Sequence, residues 1–133
     1  MLSIPFQAYY SASKAALNSL VLATANEVRP YGVRVAAIMP GDIKTGFTAA
    51  RTKSNAGSSD YAALSKSVAT MERDEQNGMS PDVIARCMYS VSRKRSPKPL
   101  RSVGLQYKAC CLLGKFLPCR LSNWIVGKMY ASK

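Results

Sequence analysis

Histidine is absent from this 133-residue chain. That removes the commonest metal ligand and the commonest general base together. The four cysteines, Cys87, Cys110, Cys111 and Cys119, show no C-x-x-C spacing, so no metal site is expected. The apolar fraction of 47% is that of a core-forming domain, which argues against a disulfide framework. Reduced, mostly buried thiols, packing like small hydrophobes, are expected instead. No run approaches the roughly 18–20 apolar residues of a membrane-spanning helix. The first residues, "MLSIPFQAYY", have no basic n-region and no long apolar h-region. No signal peptide is expected, and a cytoplasmic location is.

Acidic residues also run out. Residues 1–82 carry eight Lys/Arg against seven Asp/Glu, whereas residues 83–133 carry eleven Lys/Arg and no acid. A basic C-terminal third suggests an anionic neighbour, such as a membrane surface or an acidic protein. The plainer alternative is a solvated basic face. The basic residues are not interleaved with a stacking platform and match no recognition motif, so nucleic acid is not an expected partner.

What is present reads as an α/β pattern. Small residues at helical spacing (Ala12, Ala15, Ala16, Ala23) with Leu20 and Glu27 predict a helix over 10–29, stopped at "PYG", 30–32. "VRVAAIM", 33–39, bounded by Gly32 and Pro40-Gly41, predicts a buried parallel strand. Residues 48–60 are small and polar and predict a loop. Tyr61, Leu64, Val68 and Met71 then resume helical spacing until Asn77-Gly78. "SPD" at 80–82 starts another helix, with Ser80 as N-cap and Pro81 at its first position. Val83, Ile84, Cys87, Met88 and Val91 form its apolar stripe. "LRSVGLQY", 100–107, predicts a second strand, and two short apolar-basic helices flank Pro118.

The chemistry-bearing stretch is "AYYSASKAAL", residues 8–17. Tyr10 and Lys14 are four apart and share a helix face. Reducing a carbonyl by hydride needs a proton donor. A free tyrosine, with a pKa of about 10, serves poorly near neutrality, but a nearby cation favours its phenolate. A lysine one turn away supplies that cation, and its three donors suit ribose hydroxyls. Alone, such a pair is also an ordinary amphipathic feature.

Its neighbours give it context. "YSASKAAL", followed by "EVRPYGVRVAAIMPGDIKTGF", resembles the middle of a short-chain dehydrogenase/reductase. The likeness is specific over residues 8–47 and looser to about 107. It implies the C-terminal portion of a Rossmann-type doubly wound parallel sheet, about two strands with flanking helices. Residues 1–107 would be this partial domain, and 108–133 a basic amphipathic helical tail. It implies an NAD(P)-dependent oxidoreductase acting on a small carbonyl or alcohol substrate, lipidic if the tail is a guide. Tyr10 would be the general acid/base, with Lys14 its activator and ribose ligand. Pro40 and Gly41 would shape the turn against the nicotinamide. Ile43, through its backbone, and Thr45, through its hydroxyl, would bond the carboxamide. Residues from Phe47 to about Gly78 would form a substrate lid, and Pro5, Gln7, Met39 and Phe47 are weaker pocket candidates.

The resemblance also implies parts not seen before Tyr10: the glycine-rich pyrophosphate turn, the residue that selects NAD or NADP, and the catalytic serine. The chain is therefore expected to lack the dinucleotide-binding half and to be inactive alone. Two other readings stand beside the enzyme. One is a non-catalytic interaction protein whose helix 10–29 meets a partner helix, as in a homo-oligomer. The other is a peripheral membrane protein. In that case Trp124, Ile125, Val126, Met129 and Tyr130 would face lipid, and Lys115, Arg120 and Lys128 the headgroups. The alternative for that tail is a helix pair packed on the domain.

Overall fold

The structure, a computed structural model, describes residues 3–50 and 63–131. Helix α1 spans Ala8–Glu27, and a 3-10 turn follows at Arg29–Tyr31. Strand β1 is Ala37–Pro40, and a short helix α2 is Phe47–Ala50. Helices α3 (Leu64–Gln76) and α4 (Pro81–Ser92) then lead to strand β2, Leu100–Val103. Helices α5 (Leu105–Phe116) and α6 (Cys119–Tyr130) complete the chain. Most of the 48–60 loop, and the Tyr61 start of the next helix, lie outside the described residues.

The two strands pair in parallel, with Ala37 opposite Leu100 and Pro40 opposite Val103. Parallel neighbours need a long crossover, here made by α2, α3 and α4. This is an α/β arrangement compatible with part of a Rossmann-like sheet.

Both strands are shorter than predicted, for different reasons. Hydrogen bonding begins where Ala37 donates to the Pro99 carbonyl at 2.7 Å. Upstream, Arg34 instead sends its Nε to the Arg95 carbonyl at 3.1 Å, and Val33 is exposed. Pairing, not β-branching, sets that boundary. At the other strand, Gly104 adopts φ +93°, which ends the extended run. Leu105, Gln106 and Tyr107, predicted as strand, therefore form the first turn of α5.

Helix limits follow local chemistry more closely. Val28 caps α1, two residues short of Pro30, and Gly32 closes the following turn with φ +76°. The Ser80 hydroxyl accepts from the Asp82 N–H, with Pro81 at the first helical position. Pro118 separates α5 from α6.

Among the described residues the core is small, and its buried apolar side chains are Met71, Ile84, Val91, Val103 and Val126. Ile84 and Val91 confirm the centre of the α4 stripe, while Val83 and Met88 at its margin are exposed. Helix α6 packs against α3 and buries Val126 to 5% exposure. The cysteines depart from expectation. They are free thiols, but Cys110, Cys111 and Cys119 are exposed and Cys87 is half-buried. They sit on helix faces that the small core does not reach.

Candidate functional site

Tyr10 and Lys14 lie on α1 as the i, i+4 rule requires. The Lys14 ammonium sits over the Tyr10 ring, 5.3 Å from its centroid, within cation–π range. Between them, the Ser13 hydroxyl donates to the Tyr10 carbonyl at 2.8 Å. That bond turns Ser13 back onto the helix. Ser11, next in the helix, is buried. Tyr10 itself is 55% exposed, so its hydroxyl is reachable.

The tip of β1 is built differently, by close backbone contact. The Lys44 N–H donates to the Met79 carbonyl at 3.0 Å, and the Met79 N–H to the Asp42 carbonyl at 2.8 Å. This is a parallel bridge between Ile43 and Met79. The two bonds leave the Ile43 amide group itself out of the pairing. Gly78 is required here, since a Cβ would lie 2.5–2.7 Å from backbone atoms of Asp42 and Ile43. Gly41 is constrained by a side chain instead. A Cβ there would fall 1.9–2.1 Å from the Tyr107 ring.

Tyr107 closes this tip. Its hydroxyl donates to Asp42 Oδ2 at 2.5 Å. Burial, then the hydrogen bond to Asp42, pushes its phenol up to about 12. The Thr45 hydroxyl accepts from the Phe47 N–H at 3.3 Å and so starts α2.

An open cleft of about 330 Å³ lies beside Tyr10. It gathers Gln7, Tyr10 and Phe47 from the expected set and adds Asp42, Met71, Asp74, Glu75 and Tyr130. Phe6 reaches its wall from a left-handed turn, φ 64°, closed by the Gln7 N–H on the Ile4 carbonyl at 3.2 Å. Burial, followed by the charges of Asp74 and Asp42, raises the Tyr130 phenol above its ordinary value. Thr48 donates to Glu75 Oε2 at 2.6 Å, which ties α2 to α3.

The other expected residues stand outside the cleft lining. Lys14 meets it only through the Tyr10 ring. Pro40 ends β1 and is exposed, and Met39 lies within the paired strand. Pro5 sits half-buried in the turn before α1. Gly41, Ile43 and Thr45 line the neighbouring tip of β1. Asp42, Asp74, Glu75 and Tyr107 were not expected from the sequence, and Tyr130 was expected to face lipid. Asp42 had a signal, standing inside "PGDIKT"; the others meet the site only through tertiary packing.

An α/β unit with two parallel strands and flanking helices is compatible with part of a nucleotide-binding, Rossmann-like sheet. The comparisons agree. The short chain dehydrogenase family model matches residues 1–56. The 3-ketodihydrosphingosine reductase of Bacteroides thetaiotaomicron is 34% identical over 135 aligned residues, 98% of this chain and 50% of that protein. The chain belongs to the short-chain dehydrogenase/reductase family, a family of NAD(P)-dependent oxidoreductases. It spans about half the length of the curated relative it matches.

The donor set fits one end of that cofactor. A phenol, an ammonium, a threonine hydroxyl and a strand-tip amide without a backbone partner among the described residues suit a ribose and a carboxamide. The pyrophosphate end fits less well. Three carboxylates, Asp42, Asp74 and Glu75, line the cleft and oppose an anion there.

Proposed function

We propose that this chain supplies the proton-transfer part of an NAD(P)-dependent carbonyl reductase. The carrying observation is the Lys14 ammonium over the ring of Tyr10, which is exposed and lines the cleft. Tyr10 would pass its hydroxyl proton to the substrate oxygen as hydride reaches the carbonyl carbon, giving the alcohol. Lys14 would offset the phenolate charge left behind and hold ribose hydroxyls. Thr45, and the Ile43 amide, would take the carboxamide, with Pro40 and Gly41 fixing the turn that presents them. Bound cofactor supplies the hydride. Gln7 and Phe47 would border the substrate, with Pro5 and Met39 supporting from behind.

The substrate proposal rests on the name of the Bacteroides relative, a 3-ketodihydrosphingosine reductase. A ketone bearing a cationic amine and an aliphatic chain suits this cleft. Asp42, Asp74 and Glu75 favour a cation and oppose an anion, and Phe6, Phe47 and Met71 offer apolar wall. The same carboxylates oppose a pyrophosphate. The chain alone is therefore expected to hold NAD(P)H weakly and to turn nothing over.

A chimera of the Bacteroides relative's first half with this chain tests the reading. It should oxidise NADPH or NADH with 3-ketodihydrosphingosine, and Tyr10→Phe should lower kcat about 100-fold or more. Turnover that survives Tyr10→Phe contradicts the assignment. The second reading, a partner helix on α1, is favoured by the exposure of Tyr9, Leu17 and Leu20. Sedimentation of the chain against a Leu20→Glu variant checks it.

A further inference from the structure

We infer that the α5–α6 segment docks on an anionic lipid surface, an interaction beyond the reductase reading. On α5, Leu105, Leu112 and Phe116 fall on one stripe, and all are exposed, Phe116 to 79%. Lys108 and Lys115 border that stripe on one side, also exposed. On α6 the division is sharper. Val126 is buried and Tyr130 turns into the cleft, so the inner face is spoken for. That corrects the expectation that both would face lipid. The outer face carries Leu121, Trp124, Ile125 and Met129, all exposed, with Arg120 and Lys128 among them. The Lys128 ammonium lies 6.0 Å from the Trp124 ring centroid.

Apolar residues beside lysines, with a tryptophan at their centre, are the chemistry of a helix lying at a headgroup boundary. Charge decides the occupant. No acid occurs after Asp82, so a second copy would bring the same basic surface against this one. An anionic bilayer is complementary to every charge on it and accepts the apolar stripes between them. Each helix is 12 residues, about 18 Å long, and lies along a surface; among the described residues no helix is long and apolar enough to cross a membrane.

The test uses the whole 133-residue chain and its single tryptophan. Vesicles of phosphatidylcholine alone and with about a third phosphatidylserine are compared by flotation and by Trp124 fluorescence. The serine-lipid vesicles should bind the chain, blue-shift Trp124, and release it as salt rises. Lys115→Glu and Lys128→Glu should each weaken partitioning about fivefold, and Phe116→Ser should reduce the apolar part. All three positions are solvent-facing, and circular dichroism checks that the variants stay folded. Equal partitioning to both vesicle types, an unshifted Trp124, or variants that bind like the parent would overturn the proposal. So would a basic face that binds an acidic protein or an oligonucleotide and neither vesicle. None of these readouts depends on turnover, so they stand or fall separately from the reductase reading.

Discussion

Helix α1 and the tip of β1 carry the two halves of one expected site, yet they are held in opposite ways. Over its 20 residues α1 buries only Ser11. Its catalytic candidates are ordered by helix geometry and by one another. The β1 tip is fixed by what surrounds it: Gly78 against the Asp42–Ile43 backbone, Gly41 under the Tyr107 ring, and Tyr107 bonded to Asp42. One half of the site is thus a scaffold in its own right. The other half borrows its precision from a helix whose outer surface is free to meet something else.

Gly78→Ala should have the largest effect on this contrast. Its Cβ meets backbone, which cannot swing aside, so a loss of about 3 kcal/mol is expected in urea unfolding. Tyr107→Phe should cost about 1–2 kcal/mol, because the Asp42 carboxylate loses a half-buried donor. It should also change the alkaline limb. The native Tyr107 phenol lies near 12, above the ordinary 10 of an unfolded tyrosine. Its contribution is therefore complete below about pH 10 and is lost as pH rises through about 12. Unfolding curves at pH 9 and 11 should fall less steeply with pH in Tyr107→Phe than in the parent; identical slopes would remove Tyr107 from the account. Ser80→Ala should cost about 1 kcal/mol through the lost α4 cap. Lys14→Ala should be smallest, within about 0.5 kcal/mol, since both partners of its ring contact are exposed. A large Lys14→Ala loss would mean that α1 is anchored as firmly as the strand tip.

The same division explains what could be read in advance. Features written in adjacent residues were legible: the Tyr10–Lys14 helix, the Ser80–Pro81 start, the break at Pro118. The strand pair was legible in kind and misplaced in extent. Val33 to Ala36 are apolar or β-branched enough for a strand, but β2 offers them no partner. Leu105 to Tyr107 look extended until Gly104 turns the chain. The exposed thiols follow from scale, since the five buried apolar side chains among the described residues leave most helix faces uncovered. The cleft was legible only at Gln7, Tyr10 and Phe47. Asp74 and Glu75 arrive from α3 and Tyr130 from α6, and nothing local in those helices announces that they face Tyr10.

In the proposed function, Tyr10, Lys14 and the β1 tip form the nicotinamide end of a reductase site. Reduced nicotinamide riboside, which has the ring and ribose but no phosphate, probes that end alone. Titrated into isotope-labelled chain and followed by amide NMR, it should shift the signals of Tyr10, Lys14, Ile43 and Thr45 together, with one shared affinity that weakens in Lys14→Ala. Shifts confined to other parts of the chain, or an affinity indifferent to Lys14, would contradict the account.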